Sequence, residues 1–103
     1  MNNDKLIYSI LFELTNGRVP NHTDYKLELF IWAETLERMG NYGYVRGVTI
    51  SYFEEDEWYD ETVHSVVLDS VQVTNVGLAF LKENSSWMQT YKEIANVNEW
   101  LEI

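Results

Sequence analysis

The densest group of chemically active side chains is one acidic run near the middle of the chain. It holds six carboxylates and two aromatic rings, and it contains no basic residue. Its members are Glu54, Glu55, Asp56, Glu57, Trp58, Tyr59, Asp60 and Glu61. Three interpretations stay open. The run is a solvated loop that protects a strand edge, a protein-binding surface with an aromatic anchor, or a mimic of nucleic acid whose carboxylates stand in for phosphates.

Metal binding is a weaker interpretation of the same carboxylates. Glu54, Asp56 and Asp60 could gather a hard cation, but the run lacks the glycine and the alternating spacing of an EF-hand loop. The two histidines, His22 and His64, lie far apart and form no HExxH-type pair. We expect His22 to be a loop residue and His64 an ordinary strand residue, and we predict neither a metal nor a cofactor.

Catalytic motifs are absent from the sequence. It has no Cys, no Gly-x-Ser-x-Gly elbow and no phosphate-binding glycine loop. Four of the five glycines are predicted at the ends of elements or in a hairpin, and Gly77 is predicted to permit close packing of a short helix. The chain is therefore predicted not to be an enzyme.

The charge restricts the partners. Seven Lys and Arg residues stand against seventeen Asp and Glu residues, which gives a formal net charge of −10. Nucleic-acid binding depends on cations that neutralise phosphates, and an acidic protein repels DNA, RNA and anionic membranes. We expect a protein partner with a basic surface and disfavour direct nucleic-acid binding. Whether the chain also forms a homodimer is left open.

Size and hydrophobicity predict one soluble domain. The 103 residues match one domain, predicted to span residues 1–103, and 46% of them are hydrophobic. No apolar stretch approaches the roughly 20 residues of a membrane span, and the N-terminus does not read as a secretory signal. We expect a cytoplasmic protein of a bacterial host cell.

Two helices are predicted in the first half, because apolar residues recur there at spacings of three and four. The first covers about residues 4–16 and stops at Gly17; the second covers about residues 26–39 and ends at Gly40-Asn41. Residues 18–24 are predicted as a loop. The buried positions are Ile7, Ile10, Leu11 and Leu14 in the first helix, and Leu29, Trp32, Ala33 and Leu36 in the second.

A β-hairpin is predicted next. Residues 44–53 and 62–73 are rich in β-branched and aromatic side chains, with a bulge or break at Asp69-Ser70, and the acidic run forms the tip. Thr74 is predicted to cap a short helix over residues 75–82, with Leu78 and Leu81 inward and Asn84 at its end. A capping box at residues 86–89 opens the last helix. Its apolar residues, whose spacing predicts core packing rather than base stacking, are Trp87, Tyr91, Ile94, Val97, Trp100 and Leu101.

A helix pair followed by a β-hairpin is the order of elements in winged-helix domains. Several segments resemble the YjcQ-like proteins, small winged-helix-type proteins of Gram-positive bacteria and their phages. The matching segments are residues 3–11, 36–40, 43–48 and 73–85, followed by Trp87, Tyr91, Ile94 and Trp100-Leu101. The resemblance implies an α+β, winged-helix-like fold with about four helices and a hairpin wing, in a phage or prophage setting. It transfers no functional residues.

Two departures from that pattern bear on function. Residues 18–26 show no clear short helix, where a helix-turn-helix has its first member, and the wing tip is unusually acidic. The second helix offers Glu28, Glu34 and Glu37 toward solvent, where a DNA-reading helix offers Arg, Lys, Asn or Gln. The sequence thus predicts a small acidic phage-related accessory protein that acts by protein–protein interaction. The alternative is a winged-helix transcriptional regulator that binds DNA.

Overall fold

A computed structural model describes residues 3–52 and 63–89. The fold is α+β, with small antiparallel sheets. Its α-helices are α1 (Asn3–Thr15), α2 (Leu29–Asn41) and α3 (Asn75–Glu83), and its 3-10 helices are His22–Tyr25 and Ser85–Gln89. Its strands are β1 (Val45–Arg46), β2 (Thr49–Tyr52), β3 (Val63–Val67) and β4 (Gln72–Val73).

Helix α1 forms the centre of the core. All six residues from Leu6 to Leu11 are buried, which a helix with a single apolar face would not achieve. They are covered because α1 contacts α2, α3 and β4. The buried Ser9 hydroxyl is hydrogen-bonded to the Tyr25 hydroxyl at 2.7 Å, so this polar group costs little to bury. The chain leaves the helix before Gly17, whose φ is 77°, as predicted.

The predicted loop over residues 18–24 is wrong in its second half, which forms the 3-10 helix His22–Tyr25. The Asp24 carboxylate accepts a hydrogen bond from the Asn21 N–H at 2.9 Å and closes this turn. The side chain of Tyr25 anchors the turn in the core. Lys26 then adopts a left-handed conformation with φ of 53°, which is incompatible with a helix. Helix α2 therefore starts at Leu29 and not at residue 26.

The end of α2 agrees with its prediction, because Gly40 and Asn41 are the last two residues of the helix. The chain then turns at Gly43, whose φ is 80°. The Gly43 N–H donates to the Gly40 carbonyl at 3.0 Å, and the Tyr44 N–H donates to the Met39 carbonyl at 3.0 Å. These two bonds form a Schellman motif, which requires the left-handed residue at Gly43 rather than at Gly40.

The predicted hairpin is present, but each of its two long strands is broken in two. Strand β2 pairs with β3 and β1 pairs with β4, both antiparallel. Gly47 interrupts the first arm with a φ of 89°, and a turn over residues 68–71 interrupts the second, so the predicted break at Asp69-Ser70 is confirmed. The two interruptions face each other, because a Cβ at Gly47 would lie 2.3 Å from the Ser70 carbonyl oxygen.

Helix α3 begins at its predicted cap. The Thr74 hydroxyl accepts a hydrogen bond from the Gly77 N–H at 3.1 Å, and Asn84 ends the helix. Leu81 packs partly buried against the core, as predicted. The prediction that Leu78 points inward is wrong, because this side chain is 48% exposed. Gly77 and Phe80 instead occupy the inward face, and Leu78 follows Gly77 by about 100° around the helix.

The predicted fourth α-helix is only partly within the described residues. Residues 85–89 form a 3-10 helix, and the remaining residues of the prediction lie outside the described ranges. The Trp87 ring meets Tyr8 edge-on at 5.8 Å and Phe80 at 6.4 Å, which confirms the core-packing prediction for this residue. None of the helices in residues 3–52 and 63–89 is long and apolar enough to cross a membrane.

Candidate interaction surface

Helix α2 has one buried face and one exposed face. Trp32, Leu36 and Met39 anchor the buried face in the core. On the other side, Phe30, Glu34 and Glu37 follow one another at spacings of four and three, so they form a single stripe. All three are exposed, including 54% of Phe30. We call these three residues the acidic stripe.

The acidic stripe is only partly neutralised. Arg38 lies 3.5 Å from the Glu34 carboxylate in an exposed pair of the i, i+4 type. Such pairs contribute only about 0–1 kcal/mol and are screened by salt. Within the described ranges, neither Glu37 nor Glu28, the residue before α2, forms an ion pair. The surface of α2 therefore presents uncompensated negative charge beside an exposed aromatic ring. The prediction that Glu28, Glu34 and Glu37 face solvent is confirmed.

Most of the net charge belongs to residues beyond the described ranges. Residues 3–52 and 63–89 contain six basic and eight acidic residues, so they carry a formal charge of only −2. Three of those eight acids are Glu28, Glu34 and Glu37. Residues 53–62 contribute six further acids and no base. Helix α2 and the residue before it thus carry three of the eight acids of the described body.

A groove lies between α2 and the hairpin. Its volume is about 400 Å³, and its lining residues are Leu36, Glu37, Gly40, Val45, Arg46, Gly47, Val48 and Ile50. Buried Leu36 and Val45 form an apolar floor that is continuous with the core. Exposed Glu37 and Arg46 supply charge at the rim. The Arg46 Nε donates to the Gln72 Oε1 at 3.1 Å, which holds the Arg46 guanidinium toward β4.

Strand β2, whose Ile50 lines this groove, has a free edge. It pairs with β3, from Thr49 opposite Val67 to Tyr52 opposite Val63. No other strand in the described part of the chain pairs with β2, and none of its backbone groups bonds elsewhere there. A strand edge of this kind presents unpaired N–H and C=O groups to a binding segment.

The described residues offer little for catalysis or metal binding. They contain no group of three or more His, Asp or Glu residues arranged to hold a metal ion. Burial raises the pKa of Tyr8, and burial together with Asp4, Tyr42 and Glu83 raises the pKa of Tyr44. A phenol with its ordinary pKa of 10.0 is already protonated at neutral pH, so these upward shifts report the burial of the two rings.

Two further depressions lie around residues 18–20. One, of about 390 Å³, contains the ion pair between the Arg18 Nε and the Glu13 carboxylate at 2.7 Å. The other, of about 250 Å³, is lined by Val19, Trp32 and Val67 among others. Among their described lining residues, neither depression has a Ser, Thr, Lys or His.

The predicted interaction residues Glu54–Glu61 lie outside the described residues. The described residues on either side of this stretch, Tyr52 and Val63, pair with each other in the hairpin. His22 is not in an irregular loop but in the first 3-10 helix, where its Nδ1 contacts the Leu27 carbonyl at 2.9 Å. His64 occupies a position in β3, as predicted. The groove was not predicted, although one signal for it exists in the glycine inside α2.

Comparison with known proteins gives one family. The family model described as YjcQ protein matches residues 8–100. A relative from Bacillus subtilis (strain 168), named "Uncharacterized protein YjcQ", is 30% identical over 102 residues, which cover 98% of this chain and 99% of that protein. No solved structure gives a significant match.

Proposed function

The chain belongs to the YjcQ family, and we propose that it is a small, phage-related accessory protein that acts by binding a basic protein partner. Its role is binding without catalysis, in the cytoplasm of a bacterial host. The observation that carries this proposal is the acidic stripe. Phe30, Glu34 and Glu37 occupy the exposed face of α2, which a DNA-reading helix would turn toward the bases.

The scaffold we propose is a winged-helix-type domain. Helix α1, the 3-10 helix His22–Tyr25 and α2 follow one another before the hairpin. A helix-turn-helix has a short first helix at this point of the chain. The sequence showed no clear helix there, and the 3-10 helix His22–Tyr25 supports this assignment. In this reading α2 is the recognition helix and the hairpin of β1 to β4 is the wing. The fold leaves the ligand open, because one scaffold serves many functions.

The chemistry of the stripe favours a protein ligand over DNA. Recognition helices use Arg, Lys, Asn or Gln on base edges, and basic side chains neutralise the phosphates. Carboxylates at these positions would repel the phosphates instead. An exposed aromatic ring beside carboxylates suits a protein interface, where aromatic residues provide contact area and charges steer the encounter.

The acidic run of residues 54–61 combines aromatic and acidic side chains, as the acidic stripe does. In the sequence, Trp58 and Tyr59 lie between carboxylates. A partner whose basic groove normally holds nucleic acid would suit both segments. We therefore include inhibition of such a partner by charge mimicry within the proposal.

Charge-removing variants test the proposal. Glu34→Gln/Glu37→Gln removes two charges from the stripe, and Asp69→Asn/Glu83→Gln removes two exposed charges elsewhere with the same change in net charge. Immobilised full-length chains are exposed to nuclease-treated host lysate, and bound proteins are quantified by mass spectrometry. The wild type and the control should enrich the same basic protein, and the stripe variant should lose it several-fold. Equal capture by all three would contradict the stripe as the binding surface.

A DNA-binding regulator is the second candidate, and one observation favours it. The described body carries a charge of only −2, so its own field is weaker than the total suggests. A gel shift at low salt across genomic fragments distinguishes the two functions. Retarded DNA whose binding weakens steeply with salt would replace the protein-binding proposal.

A further inference from the structure

We infer that the groove between α2 and β2 accepts an extended, basic segment of the partner protein, which adds as a strand to the free edge of β2. This inference rests on the proposed function and specifies the form of the partner. It is carried by the strand edge, the shape of the groove, the glycine that keeps it open and the charge at its rim.

The edge of β2 supplies the backbone contacts. Thr49–Tyr52 is extended and pairs only with β3 among the described residues, so its second edge has N–H and C=O groups to offer. An added strand satisfies these groups through main-chain hydrogen bonds, while pockets along the edge select alternate side chains. Because Ile50 of β2 and the preceding Val48 line the groove, a segment that pairs with β2 and lies in the groove meets these two residues as well as the backbone.

The groove has the dimensions and lining of a side-chain site. Its volume of about 400 Å³ falls within the roughly 300–1,000 Å³ of typical ligand pockets. The floor of Leu36 and Val45 is apolar and rigid because both residues belong to the core. Apolar side chains of an added strand would therefore pack on a preformed surface.

Gly40 is the residue that most clearly indicates that the groove binds a ligand. Three of the five glycines, all in the described part of the chain, have positive φ, and Gly77 lies too close to the Tyr44 carbonyl for any side chain. Gly40 has neither reason: it is the second-last residue of α2, and a Cβ there would meet nothing within 4 Å. Glycine in the middle of a helix costs about 0.5–1 kcal/mol relative to alanine, which is an upper bound for this last turn. The residue lines the groove, and its missing side chain is what leaves the groove open beside α2.

Charge selects a basic occupant. Glu37 lies on the rim, and Glu34 lies one turn before it on the exposed face of α2. Arg46 keeps its charge, but its hydrogen bond to Gln72 holds the guanidinium toward β4, so the acidic side of the groove is the side formed by α2. A strand that alternates apolar and basic side chains would place one set in the groove and the other toward these carboxylates.

A synthetic peptide tests the site in the full-length protein. The probe is a blocked eight-residue peptide that alternates valine and lysine, and its counterpart alternates valine and glutamate. Each is titrated into the isotope-labelled chain while the amide chemical shifts are followed by NMR. The lysine peptide should shift amides within residues 36–52 and saturate them, and the glutamate peptide should bind at least about tenfold more weakly, a difference of about 1.4 kcal/mol.

Two variants identify the groove. Gly40→Leu fills it from a position where a side chain has room, and Asn41→Leu adds the same side chain at the next residue, which does not line the groove. Both should melt no lower than the wild type. Gly40→Leu should weaken the lysine peptide at least about tenfold, and Asn41→Leu should change its dissociation constant less than about twofold.

Several results would overturn the inference. These are shifts confined to other elements, equal binding of the two peptides, or unchanged affinity in Gly40→Leu. Protection of residues 45–52 by self-association of the free chain would also overturn it, because the occupant would then be a second copy. If lysate capture depends on Glu34 and Glu37 but not on Gly40, the proposed function stands and the groove is wrong.

Discussion

Gly40 and Gly77 both lie beside the short strand β1, but the space around them differs. At Gly77, α3 packs directly on the chain before β1, and the Tyr44 carbonyl would lie 2.3 Å from an added Cβ. At Gly40, the space between α2 and β1 is open. The first region, which we call the closed junction, uses glycine to bring two backbones together. The second, the groove, uses it to keep them apart, at some cost in helix stability.

The closed junction is held by several interactions around one threonine. The Thr74 hydroxyl donates to the Gly43 carbonyl and accepts from the Gly77 N–H, and the Thr74 N–H donates to the Tyr44 carbonyl at 2.9 Å. The ring centroids of Tyr44 and Phe80 lie 4.8 Å apart, which adds an aromatic contact between the residue before β1 and α3. The groove has an apolar floor but no comparable network on its open side. This difference predicts that substitutions at the junction and in the buried floor of the groove affect stability, and that substitutions on the open side of the groove affect binding.

Leu36→Ala should have the largest effect, because Leu36 is fully buried in the core and also forms the groove floor. Truncating a buried leucine costs about 2–5 kcal/mol through lost burial and the cavity left behind. Urea unfolding at equilibrium measures this loss. A cost below 1 kcal/mol would show that the floor is not part of the core.

Gly77→Ala should destabilise the chain by about 1–3 kcal/mol, because the new methyl group must displace backbone rather than a flexible side chain. The gain in helix propensity offsets only part of this cost. Thermal unfolding followed by circular dichroism gives the value. An unchanged melting temperature would mean that the junction is open like the groove.

Thr74→Ala should cost about 1 kcal/mol, which is typical for the loss of a helix cap. Thr74→Ser is the matched control, since it keeps the hydroxyl that bonds Gly43 and Gly77. Chemical denaturation of both variants separates the cap from the lost methyl group. Equal destabilisation by serine and alanine would contradict a role for the hydroxyl.

Gly40→Ala should stabilise the chain by up to about 1 kcal/mol, because alanine is the better helix former and a Cβ meets no neighbour there. Gly77→Ala makes the same chemical change, but its expected effect on stability has the opposite sign. Denaturation curves for the two variants, recorded side by side, compare the regions directly. Destabilisation at position 40 would remove the argument that this glycine is kept for binding.

Alkaline pH should lower the free energy of unfolding through Tyr44 at the closed junction, and this should be the smallest of the predicted effects. The pKa of Tyr44 is raised above its ordinary value of 10.0 by burial first, and then by Asp4, Tyr42 and Glu83. Above that ordinary value the unfolded phenol loses its proton before the folded one, so the folded state is penalised. The free energy of unfolding should be level below about pH 10 and fall above it, less so in Tyr44→Phe. A fall of the same size in Tyr44→Phe would assign the effect elsewhere, with Tyr8 next to test.

Features set by neighbouring residues could be predicted from the sequence. The period of α1, the cap at Thr74 and the two arms of the hairpin all depend on local spacing and local hydrogen bonds. Contacts between distant segments could not be predicted. The break at Gly47 depends on the approach of Ser70, and the exposure of Leu78 depends on Gly77 meeting Tyr44.

The candidate surface divides in the same way. The exposed carboxylates of α2 follow from helix periodicity, so Glu34 and Glu37 were predicted to face solvent. The groove depends on how α2 sits against β1 and β2, which no local pattern encodes. Gly40-Asn41 was predicted as the end of the second helix because glycine commonly ends helices, and α2 does end at Asn41. The space beside Gly40 is a contact between distant segments, so it could not be predicted.

Hydrogen exchange on the full-length chain, alone and with its captured partner, tests the central claim most directly. The account predicts slower exchange at residues 34–52, where α2, the groove and the edge of β2 meet, and unchanged exchange in α1 and α3. Protection confined to α1 or α3, with residues 34–52 unchanged, would contradict it. Protection of residues 34–52 by duplex DNA but by no protein would contradict it equally.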